Sequence, residues 1–236
     1  SWDLWLGPAP YRDYHPNYCP FKWRGYWDFG AGALGDMACH IIDPVFMALK
    51  LRYPVSVEAS CSTLSNVANN ETFPRASIIH YNFPARMGMP PVELIWYDGG
   101  LQPVRPEELA PDEKMGRGGS GVIFEGTQGK LMCGTYGDHP TLLPTWKMKY
   151  FEHPPKVLPR IEGNHEQNWA NACKGGEPAC SNFEYSGPLT ETVVMGNLAI
   201  KHPNRKLEWD GDNMRVTNFP EANDFVRMHY REGWEL

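Results

Sequence analysis

Three residues within WDFGAGALGDMACHIID (27–43) have the types and spacing for proton chemistry. Asp36, His40 and Asp43 stand four and three residues apart, so on an α-helix they share one face, stacked a turn above one another. Histidine is the side chain whose ordinary titration lies near neutrality, which suits it to take and return a proton. A carboxylate one turn back, Asp36, would orient the ring. Helical Asp/His pairs are also common surface features, so spacing alone leaves an ordinary helix with a first-turn acid equally open. A metal site using His40 with Asp36, His15 or Cys19 is the weaker reading, because no second ligand pair fixes a geometry.

The element that must present these groups is a helix over residues 33–51, with Leu34, Met37, Ala38, Ile41, Ile42, Val45, Phe46 and Leu49 as its apolar stripe. Pro44 predicts a kink there, or two abutting helices. Ahead of the helix, Gly30, Gly32 and Gly35 match the dinucleotide string G-x-G-x-x-G. The residues before it, FKWRGYWDF (21–29), are too polar and aromatic for a central parallel strand, and Glu58 downstream lies mid-strand on an alternating pattern. The string is therefore rejected as a nucleotide site. Glycines there are expected to tighten the turn and bring the helix N-terminus close to a ligand.

Residues 1–28, rich in Trp, Tyr, Pro and Arg, read as an ordered surface loop. Strands are predicted at 55–62, 75–83 and 91–97, and two short strands flank a turn at 127–129. Residues 101–119 and 137–160 read as irregular, 162–174 as an amphipathic helix, 188–201 as a second helix and 206–209 as a last strand before a polar tail. Strands following one another without helical crossovers imply α+β: a large, mostly antiparallel open sheet with helices on one face.

Composition narrows the classes. The 236 residues carry a net charge of −6, which argues against a nucleic-acid partner. No apolar stretch approaches the ~20 residues of a membrane-spanning helix, and the first residues do not form a signal peptide, which leaves cytoplasm and periplasm both open. Six cysteines are scattered without a C-x-x-C pair, which suits neither a zinc ribbon nor a disulfide scaffold. Asn70-Glu71-Thr72 is a glycosylation sequon by string only.

Arg24, Trp23 and Trp27 form an aromatic, cationic approach to the helix that would stack on and hydrogen-bond a sugar; a packed loop with a surface ion pair is the alternative. Asp43 reads as a structural hydrogen-bond partner beside the site. His165, on the 162–174 helix, reads first as a solvated or capping histidine, with reach to the same cleft as the alternative; Trp169 reads as core, and Trp96 or Tyr97 as a wall of the site.

The run 27–43 resembles the Gfo/Idh/MocA family (glucose–fructose oxidoreductase, inositol dehydrogenase and relatives), in which the catalytic Asp and His lie on a helix as D-x-x-x-H. WDLWLGPAP (2–10), WYDGG (96–100), FEGTQGK (124–130) and SNFEYSGPLTE (181–191) resemble the bacterial C-terminal region of that family in the same order. The resemblance implies that residues 1–236 are one C-terminal substrate-binding and oligomerisation domain, with 1–28 as junction loop and 33–51 as catalytic helix. Nothing corresponds to the family's N-terminal Rossmann domain. It implies that His40 and Asp36 are catalytic, that Arg24, Trp23, Trp27, Asp43 and His165 contact a carbohydrate or cyclitol, and that NAD or NADP belongs to the parent protein, with no cofactor bound by this chain alone. The missing Rossmann domain and further copies of the chain, joined through the sheet face, are the implied partners. An NAD-dependent glycosidase and a non-catalytic assembly or ligand-binding module are the alternatives.

Overall fold

The computed structural model describes residues 1–62 and 71–235, so Asn70 of the sequon lies outside the described residues. Among the described residues the strands are β1 (Ser56–Cys61), β2 (Ser77–Phe83), β3 (Val92–Tyr97), β4 (Val122–Gly126), β5 (Gly129–Cys133), β6 (Thr141–Leu143), β7 (Leu207–Asp210) and β8 (Arg215–Val216). Every pair among them is antiparallel. They divide into a five-stranded sheet, β3-β2-β1-β7-β8, and a three-stranded sheet, β4-β5-β6. The α+β class and the antiparallel pairing are as predicted.

The five-stranded sheet carries the core because β2 alternates strictly. Ser77, Ile79, Tyr81 and Phe83 are buried on one face, and Ile78, His80 and Asn82 are half-buried on the other. Leu94 and Trp96 of β3 and Val57 and Ala59 of β1 extend the buried face. Onto it packs α4 (Phe183–Lys201), whose Leu189, Val193, Met195, Leu198, Ala199 and Ile200 are all buried. The approach is close enough to require glycine: a Cβ on Gly196 would lie 2.2 Å from the Tyr81 hydroxyl and 2.6 Å from Leu34 Cδ1. Burial also pushes the Tyr81 phenol well above its ordinary range, so it stays a neutral donor, at 3.4 Å from the Val193 carbonyl.

Several predicted elements are corrected. The chain is helical from 32 to 48, as a π turn at Leu34–Ala38 followed by α2 (Cys39–Ala48), and α2 runs on through Pro44. The irregularity falls at the π turn, where an added Cβ on Gly35 would meet Ala31 Cβ at 2.4 Å. Residues 1–28 hold α1 (Trp2–Leu6) and a 3-10 turn at Lys22–Gly25, braced by aromatic packing such as Trp2 on Trp5 with ring centroids 4.8 Å apart. The stretch 137–160 contains β6 and a 3-10 turn at Thr145–Tyr150. The helix predicted to begin at Pro188 begins five residues earlier, where the Asn182 side chain accepts the backbone N–H groups of Glu184 and Tyr185 at 3.0 and 3.3 Å. α3 (His165–Cys173) has no buried residue, and Trp169 is 65% exposed rather than core. Cys39 and Cys61 are half-buried.

His202, capping the C-terminal end of α4, sets a pH response for this region. Its ring packs on Phe219 and Phe225 at 5.0 and 5.6 Å, joining α4 to the 3-10 turn Pro220–Phe225. Burial, then the charges of Arg205 and Lys201, lower its pKa, against a smaller opposing pull from Glu221. The unfolded chain therefore binds the extra proton first, so the stability contributed by neutral His202 is present above about pH 6.5 and declines as pH falls through the folded value. The wild type is expected to lose more stability than His202→Phe between about pH 7.5 and 5.5. Denaturant midpoints at the two pH values check this, and equal losses would contradict it.

Candidate functional site

The segment that carries His40 is fixed from below and from both sides. Below, α2 buries Ile42, Val45 and Phe46, while His40 and Met47 are exposed. On one side, Asn197 of α4 donates to the Ala31 carbonyl at 3.1 Å and holds the glycine turn. There an added Cβ on Gly30 would come within 2.5–2.8 Å of Arg24 backbone atoms, and one on Gly32, at φ +61°, within 2.7 Å of the Phe73 ring. The close approach that the glycines permit is thus to the protein itself. Backbone and aromatic ring fill the space a pyrophosphate would need, so the turn does not fit a dinucleotide. The turn does open onto a cavity: Gly30 and Ala31 line one of about 260 Å³ with Trp27 and Phe73.

That tight turn determines the partner of Asp36. The 3-10 turn Lys22–Gly25 lies across it, and Arg24 Nε donates to Asp36 Oδ1 at 3.1 Å. The guanidinium also stacks on Phe21 and Trp23, 4.1 and 4.8 Å from their ring centroids. The Asp36 carboxylate is therefore engaged by Arg24 and makes no hydrogen bond to His40 among the described residues, which corrects its expected role as the group that orients the ring. This pair is partly exposed, 28% and 44% by side chain, and exposed pairs contribute at most about 1 kcal/mol. Asp36→Asn is accordingly expected to change unfolding free energy by less than ~1 kcal/mol. Chemical denaturation checks it, and a loss above ~2 kcal/mol would make the pair a structural anchor instead.

His40 is exposed, and the residue beside it was not foreseen. The turn Gly134–Asp138 is closed by backbone hydrogen bonds of 2.9 and 3.0 Å. It is seated against α2 at Gly137, where an added Cβ would lie 3.0 Å from Pro44 Cβ. Its tip places the Tyr136 ring edge-on to His40, centroids 5.5 Å apart, with Tyr136 71% exposed. Asp138, which accepts from His139 at 3.1 Å and lies 3.8 Å from Arg117 Nε, forms a polar rim. An exposed imidazole, a phenol and the Arg24–Asp36 pair can exchange a proton with a hydroxyl and hydrogen-bond its neighbours. The one sequence hint of Tyr136 is its position between Gly134 and Gly137 directly after β5.

The structure separates the remaining candidates. Trp23 lines a cavity of about 380 Å³ with Trp5, Leu6, Gly7, Pro8, Asp28 and Phe29. Trp27 turns the other way: its indole donates to the Thr72 carbonyl at 3.0 Å, packs on Phe73 at 3.6 Å and lines a second cavity of about 260 Å³ under α4. Asp43 accepts the Tyr185 hydroxyl at 2.5 Å. Burial, and then this contact with Asp43, push the Tyr185 phenol above its ordinary range, so Asp43 is the structural partner expected of it. His165 is exposed on α3, as a solvated histidine would be, and pairs with Glu166 at 3.3 Å. Trp96 is buried, with its indole on Asp98 Oδ2 at 2.9 Å. Asp36, His40 and Tyr136 line neither of these two cavities. Among the described residues no cluster of three His, Cys, Asp or Glu could hold a metal ion, and no helix is long and apolar enough to cross a membrane.

Comparison with known proteins gives two findings. Residues 1–81 match the Gfo/Idh/MocA model described as oxidoreductase family, C-terminal alpha/beta domain. This part of the chain, which includes Arg24, Asp36, His40 and Asp43, is thus similar to an oxidoreductase-family C-terminal domain. Among solved structures, an NAD-binding protein from Listeria innocua superposes with a TM-score of 0.49 at 14% identity, over 91% of this chain and 53% of that one. The chain spans about half the length of that protein. No curated protein matches the sequence.

Proposed function

We propose that this chain is the substrate domain of an NAD(P)-dependent oxidoreductase acting on a sugar or cyclitol hydroxyl. The observation that carries the reading is the exposed His40, between Tyr136 and the Arg24–Asp36 pair, on a helix within the stretch that matches an oxidoreductase-family domain. A π turn just before the histidine suits this, since such turns recur at functional sites. The nicotinamide, held outside these residues because the glycine turn does not fit it, supplies hydride acceptance. In this reading His40 takes the hydroxyl proton as the carbon is oxidised and returns it in reduction. Tyr136 hydrogen-bonds the same or a neighbouring hydroxyl, and Arg24 keeps Asp36 from drawing the imidazole away. The aromatic cavity of Trp5, Trp23 and Phe29 with Asp28 supports a carbohydrate ligand, because rings stack on sugar C–H faces while carboxylates accept from hydroxyls. The face of the five-stranded sheet opposite α4, with Glu58, His80 and Ile95 in one row, is proposed as the surface that joins copies of the chain.

A second reading, a non-catalytic ligand-binding module, is favoured by one specific observation: His40 lines neither the cavity of about 380 Å³ nor that of about 260 Å³. The test is a polypeptide joining this chain to a nucleotide-binding domain, offered NAD and NADP with a panel of sugars, cyclitols and aryl glycosides. Reduction of the nicotinamide with any free sugar or cyclitol supports the oxidoreductase. Aryl glycoside cleavage without net reduction supports the glycosidase variant, and sugar binding without either reaction supports the module.

A further inference from the structure

The second cavity has a composition that the proposed reaction does not use. Trp27, Phe73, Leu198, Trp209 and Phe225 supply its apolar walls, and Lys201 enters from the last turn of α4. The Lys201 ammonium lies 4.0 Å from the Trp27 ring centroid and 5.1 Å from that of Phe225. Among the described residues no carboxylate oxygen lies within 4.0 Å of it. Burial draws its pKa below the ordinary lysine range, against a smaller opposing effect of Asp28. A cation held by ring faces alone gains about 0.5–2 kcal/mol from them and still lacks an anion. The other charged group in the lining, Glu191, is ten residues earlier on α4, about 15 Å along the axis. Its Oε1 accepts the Trp209 indole N–H at 2.8 Å, so it does not supply that anion.

We propose that this cavity is a binding site for a small aromatic carboxylate, its ring lying among Trp27, Phe73, Trp209 and Phe225 and its carboxylate paired with Lys201. The volume of about 260 Å³ suits a single ring with a short acid chain and is below the ~300 Å³ at which pockets for larger ligands begin. Charge selects the acid: apolar walls accept any small ring, but a half-buried ammonium without a carboxylate within 4.0 Å favours one that brings a carboxylate. The site shares no lining residue with the His40 surface, so it stands whether or not the oxidoreductase reading does.

Titration of this chain with 3-phenylpropionate and its neutral isostere 3-phenylpropionamide, followed by tryptophan fluorescence, tests the proposal. The acid is expected to bind saturably and at least tenfold more tightly than the amide, about 1.4 kcal/mol. Lys201→Met, which retains an apolar stem, is expected to erase that preference, and Lys201→Arg to retain it. Equal affinity of the wild type for acid and amide, no saturable binding of the acid, or an undiminished preference in Lys201→Met would each overturn it. The wild-type comparison decides the matter even if a variant fails to fold.

Discussion

Replacing His40 with Gln in a polypeptide that joins this chain to a nucleotide-binding domain is expected to slow nicotinamide reduction by about a hundredfold to ten-thousandfold, the range lost with a positioned acid/base group. Glutamine approximates the ring's reach and hydrogen bonding but cannot carry the proton. His40 is exposed and buries no core surface, so the folded structure should be unchanged and cofactor affinity should stay within about twofold. Tyr136→Phe removes only the hydroxyl of an exposed ring. Its expected effect is smaller, about 0.5–1.5 kcal/mol in kcat/KM for a single neutral hydrogen bond. Stopped-flow absorbance of the reduced nicotinamide separates the two. A His40→Gln enzyme with wild-type turnover would remove the histidine from the chemistry.

Gly196→Ala is expected to cost about 3 kcal/mol, the upper end of the range for overpacked cores. The added methyl has no direction in which to relax. It would meet the Tyr81 hydroxyl at 2.2 Å, Leu34 Cδ1 at 2.6 Å and Ile79 Cδ1 at 3.1 Å, all from fully buried residues. Tyr81 sits on the central strands of the five-stranded sheet, and Leu34 begins the π turn that leads to His40. The same methyl on an exposed helical position would stabilise by about 1 kcal/mol, as alanine exceeds glycine in helix propensity, so packing outweighs propensity here. Calorimetry should show a midpoint lower by about 6–12 °C for a chain of this size. An unchanged or raised midpoint would mean that α4 can lift from the sheet without loss.

What the chain discloses by itself depends on how local the determining interactions are. β1, β2 and β3 are legible because alternation along one strand records burial, as Ser77, Ile79, Tyr81 and Phe83 do. α3 misleads for the same reason in reverse: its helical spacing is real, but no element covers it, so Trp169 remains exposed. A proline suits a first helical turn, which makes Pro188 a natural place to begin this helix, but the Asn182 cap starts α4 at Phe183. At the site, His40 and Asp36 are visible as a spacing. The diversion of Asp36 to Arg24 is not, since it depends on Gly30 letting the Lys22–Gly25 turn lie across the helix start. Tyr136 was missed because it arrives from the second sheet, on a turn seated against Pro44. Contacts made between distant segments leave no period to read.

The most direct measurement follows an isotope. A sugar or cyclitol substrate carrying deuterium on the reacting carbon is mixed with the joined polypeptide and oxidised nicotinamide dinucleotide, and the reduced cofactor is examined by mass spectrometry. One deuterium is expected on the nicotinamide ring in the wild type, with its rate of appearance reduced by about a hundredfold or more in His40→Gln. Deuterium transfer at equal rates in both proteins, or sugar binding that never delivers deuterium to the ring, would contradict it.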